Sequence, residues 1–265
     1  MKTPGPRSAR TEWLSGVETR AAAVAQVFVE DLGSPTMSDD DRRHLLKVRR
    51  IRAGEMVVAA DGRGSWRCCE IRSEQLAPIG PVEFEEPPAH PFTVAIAPIK
   101  GDRSEWAVAK LTEVGCDRIV AISTERAAIR WSPESAQRAL ERWRRIAAEA
   151  SCQARRVRPP AIEGLVPVAS LLGDPSVVIG SLGGSPLRSD TSTIVIGPEG
   201  GWSEHELASA HGRVGLATQV LRTETAAVAA GVLLAARRAG TVSLVAGEGV
   251  SIDEHRGAAE KGEWQ

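Results

Sequence analysis

Apolar and polar positions change rhythm once along the chain. Val24, Val27, Phe28 and Val29 form a strand-like run that ends at Gly33-Ser34-Pro35, and a polar stretch follows over residues 39–44. Residues 55–59 and 66–71 are β-rich and flank Asp61-Gly62-Arg63-Gly64, a hairpin signal. No long helix is predicted before residue 87. Residues 21–88 therefore read as a small β-rich domain, a barrel because several short strands need closure. Residues 1–20 lack periodicity and read as a flexible extension. Three prolines within residues 87–91 break helix and ladder alike and mark a linker.

After the linker, strand and helix alternate. Residues 93–97, 118–122, 176–179 and 193–196 are apolar, as in strands buried on both faces. Residues 103–114 form a helix stopped by Gly115, and Ser132-Pro133 opens a long one. Ser203-Glu204-His205-Glu206 is a capping box, residues 214–220 a loose strand, and residues 223–238 a helix ended by Gly240. The helix stretch 226–236 is apolar all round, which demands burial in a core or a subunit interface. The pattern predicts an α/β domain with a parallel sheet over residues 91–245 and a flexible tail over 246–265.

Composition narrows the function. With 33 Lys+Arg against 34 Asp+Glu, the formal charge is -1, which excludes a uniformly basic coat but not a local basic face. No run of eighteen apolar residues exists, so no membrane span is expected. The N-terminus has no apolar core after its charges, so no secretory signal is read there. Cys68, Cys69, Cys116 and Cys152 form no C-x-x-C pair and lie apart from the histidines, which favours reduced core cysteines in a cytoplasmic protein and no metal. Tyr and Asn are absent and Arg far outnumbers Lys, the skew of a GC-rich genome. Arginine abundance alone therefore says little about RNA.

The P-loop, the G-x-G-x-x-G fingerprint and H-E-x-x-H are all missing. Two segments stand out instead. Ile194-Val195-Ile196-Gly197-Pro198-Glu199-Gly200-Gly201-Trp202-Ser203 is a buried strand entering a glycine loop and a capped helix, and Val220-Leu221-Arg222-Thr223-Glu224-Thr225-Ala226 enters the apolar helix. Each reads equally as a tight turn or helix cap. As sites, they place flexible backbone at strand carboxyl ends, where open α/β sheets bind ligands.

Together these segments resemble the RsmE family, the 16S ribosomal RNA uridine-N3 methyltransferases of the SPOUT class. Supporting matches are Lys100-Gly101-Asp102-Arg103-Ser104-Glu105, Lys110 to Gly115, Ser123-Thr124-Glu125-Arg126, Arg142 to Ala150 and His44 to Glu55. The resemblance covers about residues 21–240. It departs at Leu216-Ala217-Thr218-Gln219, where the family usually has Leu-Gly-Pro-Arg, and at Cys152 to Arg156, where an acid and a glycine are replaced.

The resemblance implies a PUA-like barrel followed by a SPOUT domain with a C-terminal trefoil knot, a homodimer, and methylation of 16S ribosomal RNA within the small ribosomal subunit. Another SPOUT RNA methyltransferase, acting on a ribose 2′-OH or another base, is the nearest alternative. A non-catalytic ribosome-assembly protein is the other. The implied cofactor is S-adenosyl-L-methionine. Its candidate contacts are Ile179, Gly180, Ile196, Gly197, Pro198, Glu199, Gly200, Gly201, Val220, Leu221, Arg222, Thr223, Thr225 and Ala226. Methylating N3 requires loss of a proton and stabilisation of the uridinate, tasks for Arg222 and for a carboxylate, Glu199 or Glu224. Candidate RNA contacts are Arg43, Lys47, Arg49, Arg50, Arg52, Lys100, Arg103, Arg126 and Arg156. Arg42 belongs to the first basic stretch. Arg138, Arg142, Arg144, Arg145, Arg155, Arg156 and Arg158 make the second.

Overall fold

A computed structural model of the chain describes residues 16–242. A short helix, α1 (Gly16–Ala22), precedes strands β1 (Ala25–Phe28), β2 (Met56–Ala60), β3 (Ser65–Arg72), β4 (Gln75–Pro78) and β5 (Glu83–Phe84). β1 pairs parallel with β2, and β2 pairs antiparallel with β3 across the predicted Asp61–Gly64 turn. β4 and β5 share the other edge of β3. With a side-chain period of two, Val57, Ala59, Cys69 and Ile71 pack on one face beside Leu45. Val58, Ala60, Trp66 and Cys68 pack on the other with Val157 of the second domain. Both faces are covered, so the strands lack a polar alternation. The neighbouring Cys68 and Cys69 consequently enter opposite cores, and burial pushes the Cys69 thiol up to about 11.

Between β1 and β2, helix α2 (Asp39–Arg43) is capped by Ser38, whose hydroxyl accepts the Asp41 N–H at 3.0 Å. It runs into a π-helical turn, His44–Val48, whose one buried residue is Leu45. Arg50, at φ 55, then turns the chain. The segment is anchored by one leucine and directs its charges outward.

The second domain follows as β6 (Thr93–Ile96), α3 (Arg103–Glu113), β7 (Arg118–Ser123), α4 (Pro133–Gln153), β8 (Ala161–Pro167) and α5 (Ala169–Leu172). It continues with β9 (Val177–Ser185), β10 (Thr193–Ile196), α6 (Glu204–Ser209), β11 (Arg213–Val214) and α7 (Thr223–Arg238). The sheet is parallel throughout, in the order β11-β9-β10-β6-β7-β8. Ala107, Leu111, Trp143, Ala230 and Leu234 of α3, α4 and α7 cover one face. Val168, Leu172 and Trp202 cover the other. The strand order reverses between β6 and β10, the place where such sheets open a crevice at their carboxyl ends.

Four sequence expectations change. Residues 16–20 belong to α1 rather than to a flexible extension, because Arg20 is buried and stacked over Trp66 at 5.0 Å. Residues 1–15 and the tail expected over 246–265 lie outside the described residues. β8 and α5 were not expected; β8 is an edge strand interrupted by Gly164, where a Cβ would clash with the Ala121 carbonyl. The strand expected over 214–220 stops at Val214. There Gly215 passes so close to Gly184 that a Cβ would sit 2.7 Å from its carbonyl oxygen, and the chain turns into an irregular loop.

The two domains are joined by arginines that donate to backbone carbonyls. Arg155 reaches Ala23 O at 2.8 Å, Arg20 reaches Arg155 O at 3.2 Å, and Gln26 reaches Arg156 O at 2.6 Å. Arg158 donates to Arg63 and Glu85 carbonyls and lies over Phe84.

Candidate active site

Residues 180–182 of β9, the carboxyl end of β10 and the start of α7 line an open cleft of about 530 Å³. Glycines shape its walls. At Gly180 a Cβ would meet Ile196 Cδ1 at 2.7 Å and Leu216 Cδ1 at 3.2 Å; at Gly197 it would meet the Trp202 ring at 2.8 Å. Trp202 donates its indole N–H to Gly180 O at 3.3 Å and so ties the two strand ends together. The capping box forms in full, and the buried Glu206 also accepts the Glu125 N–H at 2.9 Å, which fixes the loop after β7. Ser203 and His205 hydrogen bonds hold the Glu125 carboxyl below its usual range.

Of the predicted cofactor residues, Gly180, Ile196, Gly197, Pro198, Glu199 and Gly201 line the cleft, as do Val220, Leu221, Arg222, Thr223 and Ala226. Ile179, Gly200 and Thr225 do not. Ile179 is buried in the sheet, and Gly200 packs on the Arg126 carbonyl, which its Cβ would meet at 2.8 Å. The sequence reading omitted Ser181, Leu182, Trp202, Leu207, Leu216, Ala217 and Gln219, which also line it. Trp202 was signalled by Gly197 at the end of β10, since a ring packed on a strand end needs a neighbour without a Cβ. Leu216, Ala217 and Gln219 belong to the segment that departs from the family pattern.

Charge at the mouth is arranged around two arginines. Arg103, at the start of α3, donates to Glu199 Oε1 at 3.0 Å and stands 3.5 Å from Glu224 Oε2. It therefore orders two acids across the crevice, Glu199 from the loop after β10 and Glu224 from the first turn of α7. Arg222 precedes α7 as its N-cap, is exposed, and has no side-chain partner among the described residues. Glu199 is thus engaged while Arg222 is open.

The remaining candidate RNA contacts separate by environment. Lys47, Arg50 and Arg52 are exposed, and their side chains have no partner among the described residues; Lys100 and Arg126 are likewise exposed. Arg43 pairs with Asp40, and Arg49 donates to Val24 O at 2.9 Å. Arg156 turns inward and is not offered to RNA as the sequence suggests. It donates to the carbonyls of Thr112 and Cys116 at 2.7 and 2.8 Å, with Asp117 at 3.7 Å, and only 17% of its side chain is exposed.

The family comparison bears on this geometry. A family model described as RNA methyltransferase domain matches residues 85–235, and one described as RNA methyltransferase PUA domain matches residues 38–76. The ribosomal RNA small subunit methyltransferase E of Mycobacterium tuberculosis is 30% identical over 244 residues, covering 78% of this chain and 90% of the relative. The chain belongs to the ribosomal RNA small subunit methyltransferase E family. A probable rRNA-methyltransferase structure from Porphyromonas gingivalis superposes with a TM-score of 0.68 at 28% identity, covering 83% of this chain and all (100%) of that one. A ribosomal RNA small subunit methyltransferase E from Neisseria gonorrhoeae bound to S-adenosyl methionine gives a TM-score of 0.65 at 25% identity, covering 78% and 94%. These matches support the SPOUT-type parallel sheet preceded by a PUA-like domain. Among the described residues there is no cluster suited to a metal ion, and no helix is long and apolar enough to cross a membrane.

Proposed function

We propose that the chain transfers a methyl group from S-adenosyl-L-methionine to uridine N3 in 16S ribosomal RNA of the small subunit. The observation that carries the reading is the cleft in which Gly197, Pro198, Glu199 and Gly201, residues 180–182 of β9, and residues 220–223 with Ala226 meet. The residues fit the donor. Backbone and apolar side chains such as Leu182, Leu207 and Leu216 suit an adenine ring, with a few polar groups left to orient it. When bound, S-adenosylmethionine supplies an electrophilic methyl on a sulfonium, so the chain need only position N3 and manage charge.

Arg222 is placed to stabilise the anion that develops on the uracil oxygens, because its backbone is fixed at the start of α7 and its guanidinium has no partner among the described residues. Arg103 holds Glu199 and Glu224 at the crevice. Proton acceptance by Glu199 requires that this pair open. Lys47, Arg50 and Arg52 offer an exposed cationic face to phosphates, supporting the PUA-like domain's role in RNA binding.

The same reading includes a homodimer, a trefoil knot and a cytoplasmic location. Trp106 on α3 and Val232 on α7 are 47% and 48% exposed, on helices packed together, and a second copy would cover them. The contact of Gly184 with Val214 and Gly215 supports a tight chain crossing. Small subunits from cells lacking the enzyme, incubated with the protein and labelled donor, test the reaction. Nucleoside mass spectrometry should show 3-methyluridine; label on a ribose or another base would reject it.

A further inference from the structure

Across Arg103 from the cleft lies a second concavity, at the carboxyl end of β6. Gly101, Ser104, Trp131, Arg138, Arg142 and Trp143 line it. One wall is locked, because the Ser104 hydroxyl accepts the Ile99 N–H at 2.8 Å and donates to the Ile99 carbonyl at 3.3 Å. Gly101, at φ 79, leaves open space where a side chain would project. Trp131 stands edge-on to Trp143, with ring centroids 5.7 Å apart and planes at 71°, and Trp143 is 1% exposed. The core thus braces Trp131 while its own ring remains half-buried at the pocket. Glu105 holds Arg142 at 2.7 Å. Arg138, one helical turn earlier, is exposed and has no side-chain partner among the described residues. Lys100 and Arg130 are exposed on the adjoining loops.

The site therefore combines a rigid aromatic ring, one oriented guanidinium and one guanidinium without a partner among the described residues, with Glu105 as the acid of its lining. An aromatic face stacks any base, and a guanidinium meets a phosphate. We propose that this pocket holds a nucleotide neighbouring the methylated uridine in a single-stranded stretch of the RNA, with its base on Trp131 and its phosphate on Arg138. The proposal rests on the RNA methyltransferase reading. Gly101, Ser104 and Glu105 line this pocket, and Arg103 between them pairs with Glu199 of the cleft, so the two subsites lie on either side of one helix start.

Binding of a 16S RNA transcript to Trp131→Leu, Trp131→Phe and Arg138→Ser proteins tests it, with donor affinity measured in parallel. Trp131→Leu should weaken RNA binding about tenfold, as loss of a stacking ring does, while Trp131→Phe stays within about threefold. Arg138→Ser should weaken binding and reduce the salt slope by about one. Donor affinity should hold in all three. Wild-type affinity in Trp131→Leu, equal losses in Leu and Phe, or an unchanged salt slope in Arg138→Ser would overturn the proposal. So would a change confined to dimer dissociation, which would make the pocket a subunit contact. A wild-type protein that neither binds the donor nor methylates small subunits would instead overturn the proposed function.

Discussion

Two arginine-rich stretches look alike in sequence, yet the end of the second is used quite differently from the first. In residues 42–52 the side chains of Lys47, Arg50 and Arg52 are exposed and unpartnered among the described residues. In residues 138–158 the last three arginines are structural. Arg155 and Arg158 reach across to carbonyls of the first domain, and Arg156 closes the end of α3 onto Asp117. A guanidinium with five fixed donors can satisfy several carbonyls at once, which suits a seam between domains. Counting cations cannot separate these uses. Asking which ones lack partners does, and the same question distinguishes Arg103, engaged by two acids, from Arg222, open at the cleft.

The largest effect expected from this contrast is on stability. Arg156→Ala strips donors from two carbonyls and one charge from Asp117, leaving Arg238 alone with that acid at 2.6 Å. A loss of about 2–4 kcal/mol in urea unfolding is expected, with RNA affinity in the folded fraction unchanged. A stable Arg156→Ala protein with impaired RNA binding would return this residue to the RNA surface. Next, replacing Arg49, Arg50 and Arg52 together by Ser should reduce the salt slope of RNA binding by about two to three. Unfolding should barely shift, since among the described residues the one side-chain hydrogen bond lost is that from Arg49 to Val24 O. The smallest effect belongs to Arg145, which is 70% exposed and pairs with Glu149 only at 3.9 Å. Arg145→Ala should move stability by less than about 0.5 kcal/mol; a larger loss would show that exposure is a poor guide within this helix.

Much of the fold was legible because local chemistry and tertiary packing agree. β10 and α7 occupy the predicted residues, Ser132-Pro133 starts α4, and the capping box at Ser203 forms with both hydrogen bonds. β8 was hidden because an edge strand carrying Gly164 and ending in Pro167 lacks a strand-like run. The loop 215–222 was misread because its apolar residues, Leu216, Val220 and Leu221, line a cleft rather than pair in a sheet. For the site, the two strand-end segments were visible as motifs. Their meeting with Leu182 and Leu207 was not, since contacts between distant segments leave no local pattern. Gly200 shows the limit from the other side. A glycine in a binding loop reads as close approach to a ligand, yet here its missing Cβ makes room for the Arg126 carbonyl.

The central claim is that the exposed guanidinium at the cleft, Arg222, stabilises charge as N3 loses its proton. Single-turnover methylation of unmodified small subunits by Arg222→Lys, followed across pH, tests it most directly. Lysine keeps the charge but not the planar fork, so the rate should fall about a hundredfold, as when a pre-organised donor is lost. Donor and RNA affinities should stay within a few-fold, and higher pH should partly restore the rate as hydroxide helps ionise N3. A near-normal rate, or a defect that lies wholly in binding, would contradict the claim and leave Arg222 as a helix-terminal structural residue.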